Sequence, residues 1–110
     1  MDSISLTTLG DEQLDAARLA NSGRAAHTIH GGQGHALRQT LLALAADHEL
    51  GQHDSPGEAT LQVLRGHVRL STAHDSWDGM AGDYVVIPPY RHSVVAVDDS
   101  IILLTILAGR

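Results

Sequence analysis

The stretch DHELGQHDSPGEATLQVLRG, residues 47–66, joins a histidine, a Pro-Gly turn and an apolar run that ends at a glycine. Pro56 and Gly57 are typical of a tight turn. The run that follows, residues 60–65, predicts a β-strand, and Gly66 stands where this strand meets the next one. The segment therefore predicts a β-protein, and His53 is its first candidate site residue.

Short strands separated by turn residues follow along most of the chain. Residues 36–46 are rich in helix-forming Leu and Ala, but their strand neighbours and the shared face of Thr40, Leu42, Leu44 and Ala46 favour a strand. Many short strands at spacings of about ten residues predict a single β-sandwich or barrel. The predicted strands are residues 24–30, 36–46, 50–53, 60–65, 67–71, 83–87, 92–97 and 101–108.

One short helix is predicted before the strands. Residues 11–21, DEQLDAARLAN, hold strong helix formers with acidic residues in the first turn. Gly23 is suited to a left-handed cap at its end. The length of 110 residues is enough for one domain. We therefore expect an N-terminal extension with a short helix over residues 1–24 and a barrel domain over residues 25–110.

Composition restricts the classes of function. The net charge is −6 and no basic block is present, which argues against a nucleic-acid partner and against docking on anionic lipid. The absence of Cys excludes disulfide and thiolate chemistry. No signal peptide and no long apolar span is visible, so the expected location is the cytoplasm. With nucleic acid and membrane lipid disfavoured, the expected partner is a small-molecule ligand.

Two segments resemble the cupin family of small β-barrels. The family's first motif is Gly, five residues, His-any-His, three or four residues, Glu, six residues, Gly; the second is Gly, five residues, Pro-any-Gly, two residues, His, three residues, Asn. His53 and Gly66 match the first motif, and Gly82 and Pro88 match the second within GDYVVIPPYRHSV. The resemblance covers about residues 40–108. It implies an all-β fold, the cupin double-stranded β-helix or jelly-roll barrel, here with a short N-terminal helix.

The same segments depart from the family's set of metal ligands. Ser55 occupies the position of the second His, and Ala59 occupies the position of the Glu. His92 arrives one residue early, and Ala96 stands in the place of the closing Asn. Of the four family ligands, the resemblance therefore implies only His53 and His92.

The possible cofactor is a divalent transition metal (Zn, Ni, Fe or Mn), and the alternative is no cofactor. A catalytic metal usually keeps about three protein ligands, so a third group would have to complete the pair His53 and His92. Neighbouring strand residues point to opposite faces, so an inward Ala59 would leave Glu58 outside. The tract HTIHGGQGH, residues 27–35, looks like a metal-binding tract but is equally consistent with a loop tip. The candidates for the third ligand are Glu58, Gln62, His27, His30 and His35.

The barrel interior is the expected ligand site. Trp77 and Tyr84 are expected to pack, and most of the other histidines are expected to be solvated or locally hydrogen-bonded. The predicted lining contains His53 and His92 with Ser55, Leu61 and Val63, and with Tyr90 and Arg91 near the rim.

Three functions remain open from the sequence. The favoured one is binding of a small molecule, with a degenerate or unusual metal site around His53 and His92. The others are a metal-dependent cupin enzyme of the dioxygenase or isomerase class, and a non-catalytic structural or regulatory dimer. A homodimer is expected in each case, because small cupins often pair through strand edges and an open edge needs covering.

Overall fold

The computed structural model describes residues 1–53 and 57–108, and the side chains of all of these except Gln52 and His53. In this part of the chain one helix precedes nine strands. The helix is α1 Leu6–Leu19, and the strands are β1 Arg24–His30, β2 Leu37–Leu44, β3 Glu49–His53, β4 Ala59–Arg65, β5 His67–Ser71, β6 Ser76–Met80, β7 Tyr84–Val86, β8 His92–Ala96 and β9 Ser100–Leu107.

The strands form two antiparallel sheets. One has the order β1-β2-β9-β4-β7 and the other has the order β3-β8-β5-β6. Their inner faces carry one aliphatic core, to which both sheets contribute, including Leu61 of β4 and Val94 of β8. This arrangement confirms the predicted all-β barrel with a short N-terminal helix.

Strands β2 and β9 are covered on both faces. Leu42 and Ile102 face the core between the sheets, whereas Leu41 and Ile101 belong to a second cluster with Leu14 of the helix. Alternation along each strand sends successive side chains to opposite faces, so an unbroken apolar run is needed where both faces are buried. Residues 101–107, IILLTIL, are nearly all apolar, so the sequence alone predicts a strand that is covered on both faces, and the structure agrees.

Helix α1 begins earlier than the sequence predicted. It starts at Leu6 and ends at Leu19, because Ser5 caps it: the Ser5 hydroxyl accepts a hydrogen bond from the Thr8 N–H at 3.2 Å. Gly23 has a φ of 68°, but the residue that caps the end of the helix is Ala20. The Gly23 N–H donates to the carbonyl oxygen of Ala20 at 3.0 Å. The division into an extension and a barrel domain stays a prediction. No helix in the described part of the chain is long and apolar enough to cross a membrane.

Strand β6 was not predicted. Its sequence, SWDGM, contains Gly and Asp, which are depleted in strands. Asp78 stands opposite Arg69 of β5, and its carboxylate accepts from Arg69 at 3.1 Å and from His67 at 2.8 Å. The hydrogen bond from His67, followed by that from Arg69, lowers the pKa of Asp78. Pairing with β5 and the packing of Trp77 against the core therefore stabilise β6, although its sequence has a low β-strand propensity.

Candidate functional site

The barrel interior is closed at one end and more exposed at the other. At the closed end Leu44, Val63 and Ile102 are 0% exposed. Further along β9, Leu104 and Ile106 pack against the same core but are only partly buried. We call the end that holds Leu104 and Ile106 the mouth, and it is where a ligand would reach the interior.

His92 lies at the start of β8, towards the mouth. It alternates with the core residues Val94 and Ala96, so it faces inward, and it is 2% exposed. Its Nδ1 lies 2.9 Å from the carbonyl oxygen of Tyr90. A carbonyl oxygen only accepts, so Nδ1 carries the proton and Nε2 is the basic nitrogen of the neutral ring. The hydrogen bond to Tyr90 therefore fixes both the tautomer and the orientation of the His92 ring.

His53 stands directly opposite His92 in the register of β3 and β8. The register of this pair shifts between Leu50 and His53. Strand β4 begins at Ala59, which pairs with Ile106 at the mouth. The backbone therefore brings both motif segments to the mouth. The side chain of His53 and the whole of Ser55 lie outside the described part of the chain, so their predicted roles stay predictions.

Ala59 stands at the position of the Glu in the first cupin motif, so a methyl group lies where that motif has a carboxylate. Ala59 is 5% exposed and belongs to the apolar core, whereas Glu58 and Gln62 are exposed. Among the side chains that the structure describes, no three His, Asp, Glu or Cys residues are placed to hold a metal ion. The described donor set therefore does not fit the family's four-ligand metal centre.

The other predicted pocket residues lie at different depths. Leu61 and Val63 are 0% exposed and form part of the packed core. Tyr90 is 61% exposed, and Arg91 is also exposed. Tyr90 contributes to the site through its backbone carbonyl, which orients His92.

A groove of about 300 Å³ lies beside Trp77, where the two sheets leave a gap between β6 and β7. Leu70 in its wall is a core residue, and Trp77 and Val85 pack against that core. A groove of about 350 Å³ on the opposite side, beside Leu50, has no aromatic residue in its lining. The groove beside Trp77 is lined by Leu70, Thr72, Asp75, Ser76, Trp77, Val85, Val86 and Pro88.

The sequence interpretation of Trp77 as a packing residue is therefore incomplete, because the ring packs on the core and also walls a groove. The single Trp of a chain without Phe was its only signal. Tyr84, also expected to pack, is 60% exposed. Val85 packs against the core, so alternation turns the neighbouring Tyr84 to the outer face of its sheet.

The remaining histidines lie outside the core. His67 is partly buried and bonds to Asp78. The rings of His30 and His35 contact each other edge to face, with centroids 5.0 Å apart and an interplanar angle of 64°. The exposed histidines are His27, His30, His35, His48 and His74.

Several solved structures have a similar fold. An RmlC-like cupin protein from Desulfovibrio desulfuricans is 24% identical, with a TM-score of 0.75 over 97% of this chain and 96% of that one. A conserved protein of unknown function from Streptococcus pyogenes is 24% identical, with a TM-score of 0.72 over 83% of this chain and 79% of that one.

A variant of the salicylate 1,2-dioxygenase from Pseudoaminobacter salicylatoxidans is 19% identical, with a TM-score of 0.77 over 94% of this chain but only 34% of the dioxygenase. No protein-family model and no curated protein matches the sequence. At these identities the similarities show the fold alone.

Proposed function

We propose that this chain, which has the cupin fold, binds a small organic molecule in its barrel, with His53 and His92 as a reduced two-histidine centre. The observation that carries the proposal is the buried imidazole of His92 on an otherwise apolar inner face. Burying a polar group is costly unless it is hydrogen-bonded. The Tyr90 carbonyl oxygen accepts from Nδ1 and so fixes the orientation of this ring in the barrel.

The register of β3 and β8 supports a shared site. Directly opposite residues of an antiparallel pair carry their Cβ atoms about 5 Å apart on the same face. His53 and His92 occupy such positions. In this proposal the two residues bind one polar group of the ligand together.

The surroundings of the pair indicate the class of ligand. Leu104 and Ile106 offer partly exposed apolar surface at the mouth. The proposed ligand therefore has a small apolar body and one hydrogen-bonding or acidic head group.

The proposal does not require a metal ion. Ala59 removes the carboxylate ligand from the centre, so a Zn, Ni, Fe or Mn ion held there would keep two imidazoles as protein ligands. Two ligands are fewer than the three that a catalytic metal usually keeps. We therefore place recognition, rather than metal chemistry, at the two histidines.

Native mass spectrometry of the untagged protein tests this function. The wild-type chain should retain a bound organic molecule or bind one from a panel of small aromatic and aliphatic acids, with a rise in thermal midpoint. His92→Asn should lose this binding, because an amide at the Nδ1 position keeps the bond to Tyr90 but supplies no Nε2. His74→Ala, at an exposed turn, is the control that should bind normally. Equal binding by wild type and His92→Asn would overturn the proposal.

A metal-dependent enzyme is the second candidate, and a salicylate 1,2-dioxygenase of similar fold suggests the class of reaction to test. Elemental analysis by mass spectrometry separates it from the first. Near-stoichiometric metal in the wild type, lost in the His53→Ala/His92→Ala double variant, together with turnover of a small organic substrate, would favour the enzyme. Ligand binding by metal-free protein would favour the binding module.

We also propose that two copies of the chain form a homodimer through a strand edge. Strands β1 and β7 are the edges of one sheet, and β3 and β6 are the edges of the other. Open edges favour pairing with another chain. Light scattering after size-exclusion chromatography should give twice the monomer mass of 11.7 kDa; the monomer mass would contradict pairing. A dimer that binds no ligand would instead indicate the structural or regulatory role.

A further inference from the structure

A pair of histidine side chains meets at the tip of the β1–β2 hairpin. His30 ends β1 and His35 closes the loop, and their ring centroids are 5.0 Å apart. Both residues are exposed. In the described part of the chain their ring contact is the one interaction found for either imidazole. We propose that His30 and His35 together bind a divalent transition-metal ion, at a surface site distinct from the pair His53 and His92.

The spacing of the two rings fits a shared metal ion. In a tetrahedral site with Zn–N bonds of about 2.0–2.1 Å, two imidazoles hold their ring centres about 5 Å apart. The rings of His30 and His35 already have that separation, at an interplanar angle of 64°. Binding of one ion then requires side-chain rotation that turns one nitrogen of each ring towards it.

The loop holds the two histidines together before any ion arrives. The His35 N–H donates to the carbonyl of Gly32 at 3.2 Å, which closes a tight turn between the two rings. Gly31, Gly32 and Gly34 have φ values of 146°, 101° and 87°, a region that glycine adopts without strain. A pre-formed arrangement lowers the entropic cost of binding, so this loop favours chelation over independent contacts.

The donor set indicates which ions the site takes. Imidazole nitrogens suit Cu²⁺, Zn²⁺ and Ni²⁺, and a given site binds Cu²⁺ most tightly in this series. Among the described side chains no third His, Asp, Glu or Cys joins the pair. Water therefore fills the other positions, and the site is open, with affinity in the order Cu²⁺ above Zn²⁺.

Calorimetric titration of the untagged full chain with Cu²⁺ tests the proposal. His30→Ala and His35→Ala should each weaken binding at least about tenfold, because one of two protein ligands is lost. The matched control is His27→Ala, an exposed histidine on the same strand, which should bind Cu²⁺ like the wild type. The electron paramagnetic resonance spectrum of the bound Cu²⁺ should show two imidazole nitrogens, and this reading needs no variant.

Further variants distinguish metal binding at the hairpin from binding in the barrel. His92→Asn should leave Cu²⁺ binding at the hairpin unchanged, whatever it does to ligand binding. Copper binding that is lost in His92→Asn and kept in His30→Ala and His35→Ala would overturn the hairpin site without touching the proposed function. Absence of Cu²⁺ binding by the wild type, or a spectrum without two imidazole nitrogens, would also overturn it. Circular dichroism checks the fold of each variant, and His30→Gln and His35→Gln replace an alanine variant that fails to fold.

Discussion

The Nδ1–H of His92 donates to the carbonyl oxygen of Tyr90, 2.9 Å away and two residues earlier in the chain. The orientation of this buried ring is therefore set by the backbone that leads into its own strand. A backbone hydrogen bond to one ring nitrogen determines which nitrogen is available for other chemistry. In the His92 ring the acceptor nitrogen is Nε2.

We predict that neutral His92 is the Nδ1–H tautomer. Long-range ¹H–¹⁵N correlation spectra should show a protonated Nδ1 and an unprotonated Nε2 for this ring. His74, an exposed histidine, should show no such fixed tautomer and serves as the internal reference. A His92 ring protonated on Nε2 alone would contradict the hydrogen bond to Tyr90.

We predict that Ala59→Glu destabilises the metal-free protein by about 2–4 kcal/mol, because it places a carboxyl group in an apolar core. Zn²⁺ or Mn²⁺ should restore part of the lost thermal midpoint, because the added carboxylate supplies the ligand that the centre lacks. The measurement is thermal unfolding with and without metal.

The matched control for Ala59→Glu is Gln62→Glu, an exposed position on the same strand, which should change stability little. The His53→Ala/His92→Ala background should abolish the rescue by metal. Equal stabilisation of wild type and Ala59→Glu by the same metal would show that the native centre is already complete.

We predict that Gly66→Ala is more damaging than Gly82→Ala, although both glycines have similar φ values of 89° and 94°. A Cβ at Gly66 would collide with the carbonyl oxygen of Asp99 and the hydroxyl of Ser100, whereas a Cβ at Gly82 meets no atom within 4 Å. Gly82→Ala should cost about 1–2 kcal/mol from backbone strain alone. Gly66→Ala should cost roughly 1–3 kcal/mol more through the collision. Urea unfolding measures both, and equal losses would mean that the collision is relieved.

We predict an acid-sensitive contribution from Asp99, which joins helix α1 to the barrel. Its carboxylate accepts from the Ala46 N–H at 2.8 Å and from Arg18 at 2.9 Å. The bond from Ala46, followed by that from Arg18, lowers the pKa of Asp99 from its ordinary value of 3.8. The unfolded chain therefore takes up this proton first, so the stabilisation is complete above the ordinary pKa and is lost as pH falls through the lower, folded-state value.

The comparison that checks this prediction is wild type against Asp99→Asn, by unfolding at a series of pH values from neutral to acid. The difference in unfolding free energy should be largest at neutral pH and should shrink below pH 3.8. Asp98→Asn, at the exposed neighbouring residue, is the control. A difference that stays constant with pH would rule out a charge effect of Asp99.

Much of the fold could be read from local patterns. The strand over residues 67–71 was predicted with its observed bounds, and the apolar run of β9 predicted burial on both faces. These features depend on a few neighbouring residues, because alternation and turn chemistry act over short range. The helix start was wrong because the acidic pair Asp11 and Glu12 was interpreted as the first turn, whereas the Ser5 cap begins the helix.

The candidate site was only partly predictable. His53 and His92 could be named from their positions in two motifs, and alternation predicted that an inward Ala59 would leave Glu58 outside, as observed. The groove beside Trp77 could not be predicted, since β6 was not recognised and its walls come from three strands and their connecting segments.

By itself, the sequence determined the all-β class, the aliphatic core and the two positions, Ser55 and Ala59, that differ from the ligands of the cupin motifs. The tertiary structure alone decided that His53 is opposite His92, that Tyr90 orients the His92 ring and that His30 meets His35. The physical reason is that a residue's chemical type and strand periodicity are local properties. The register between strands and the approach of two rings depend instead on hydrogen bonds and packing between separate segments, and these exist only once the sheets have formed.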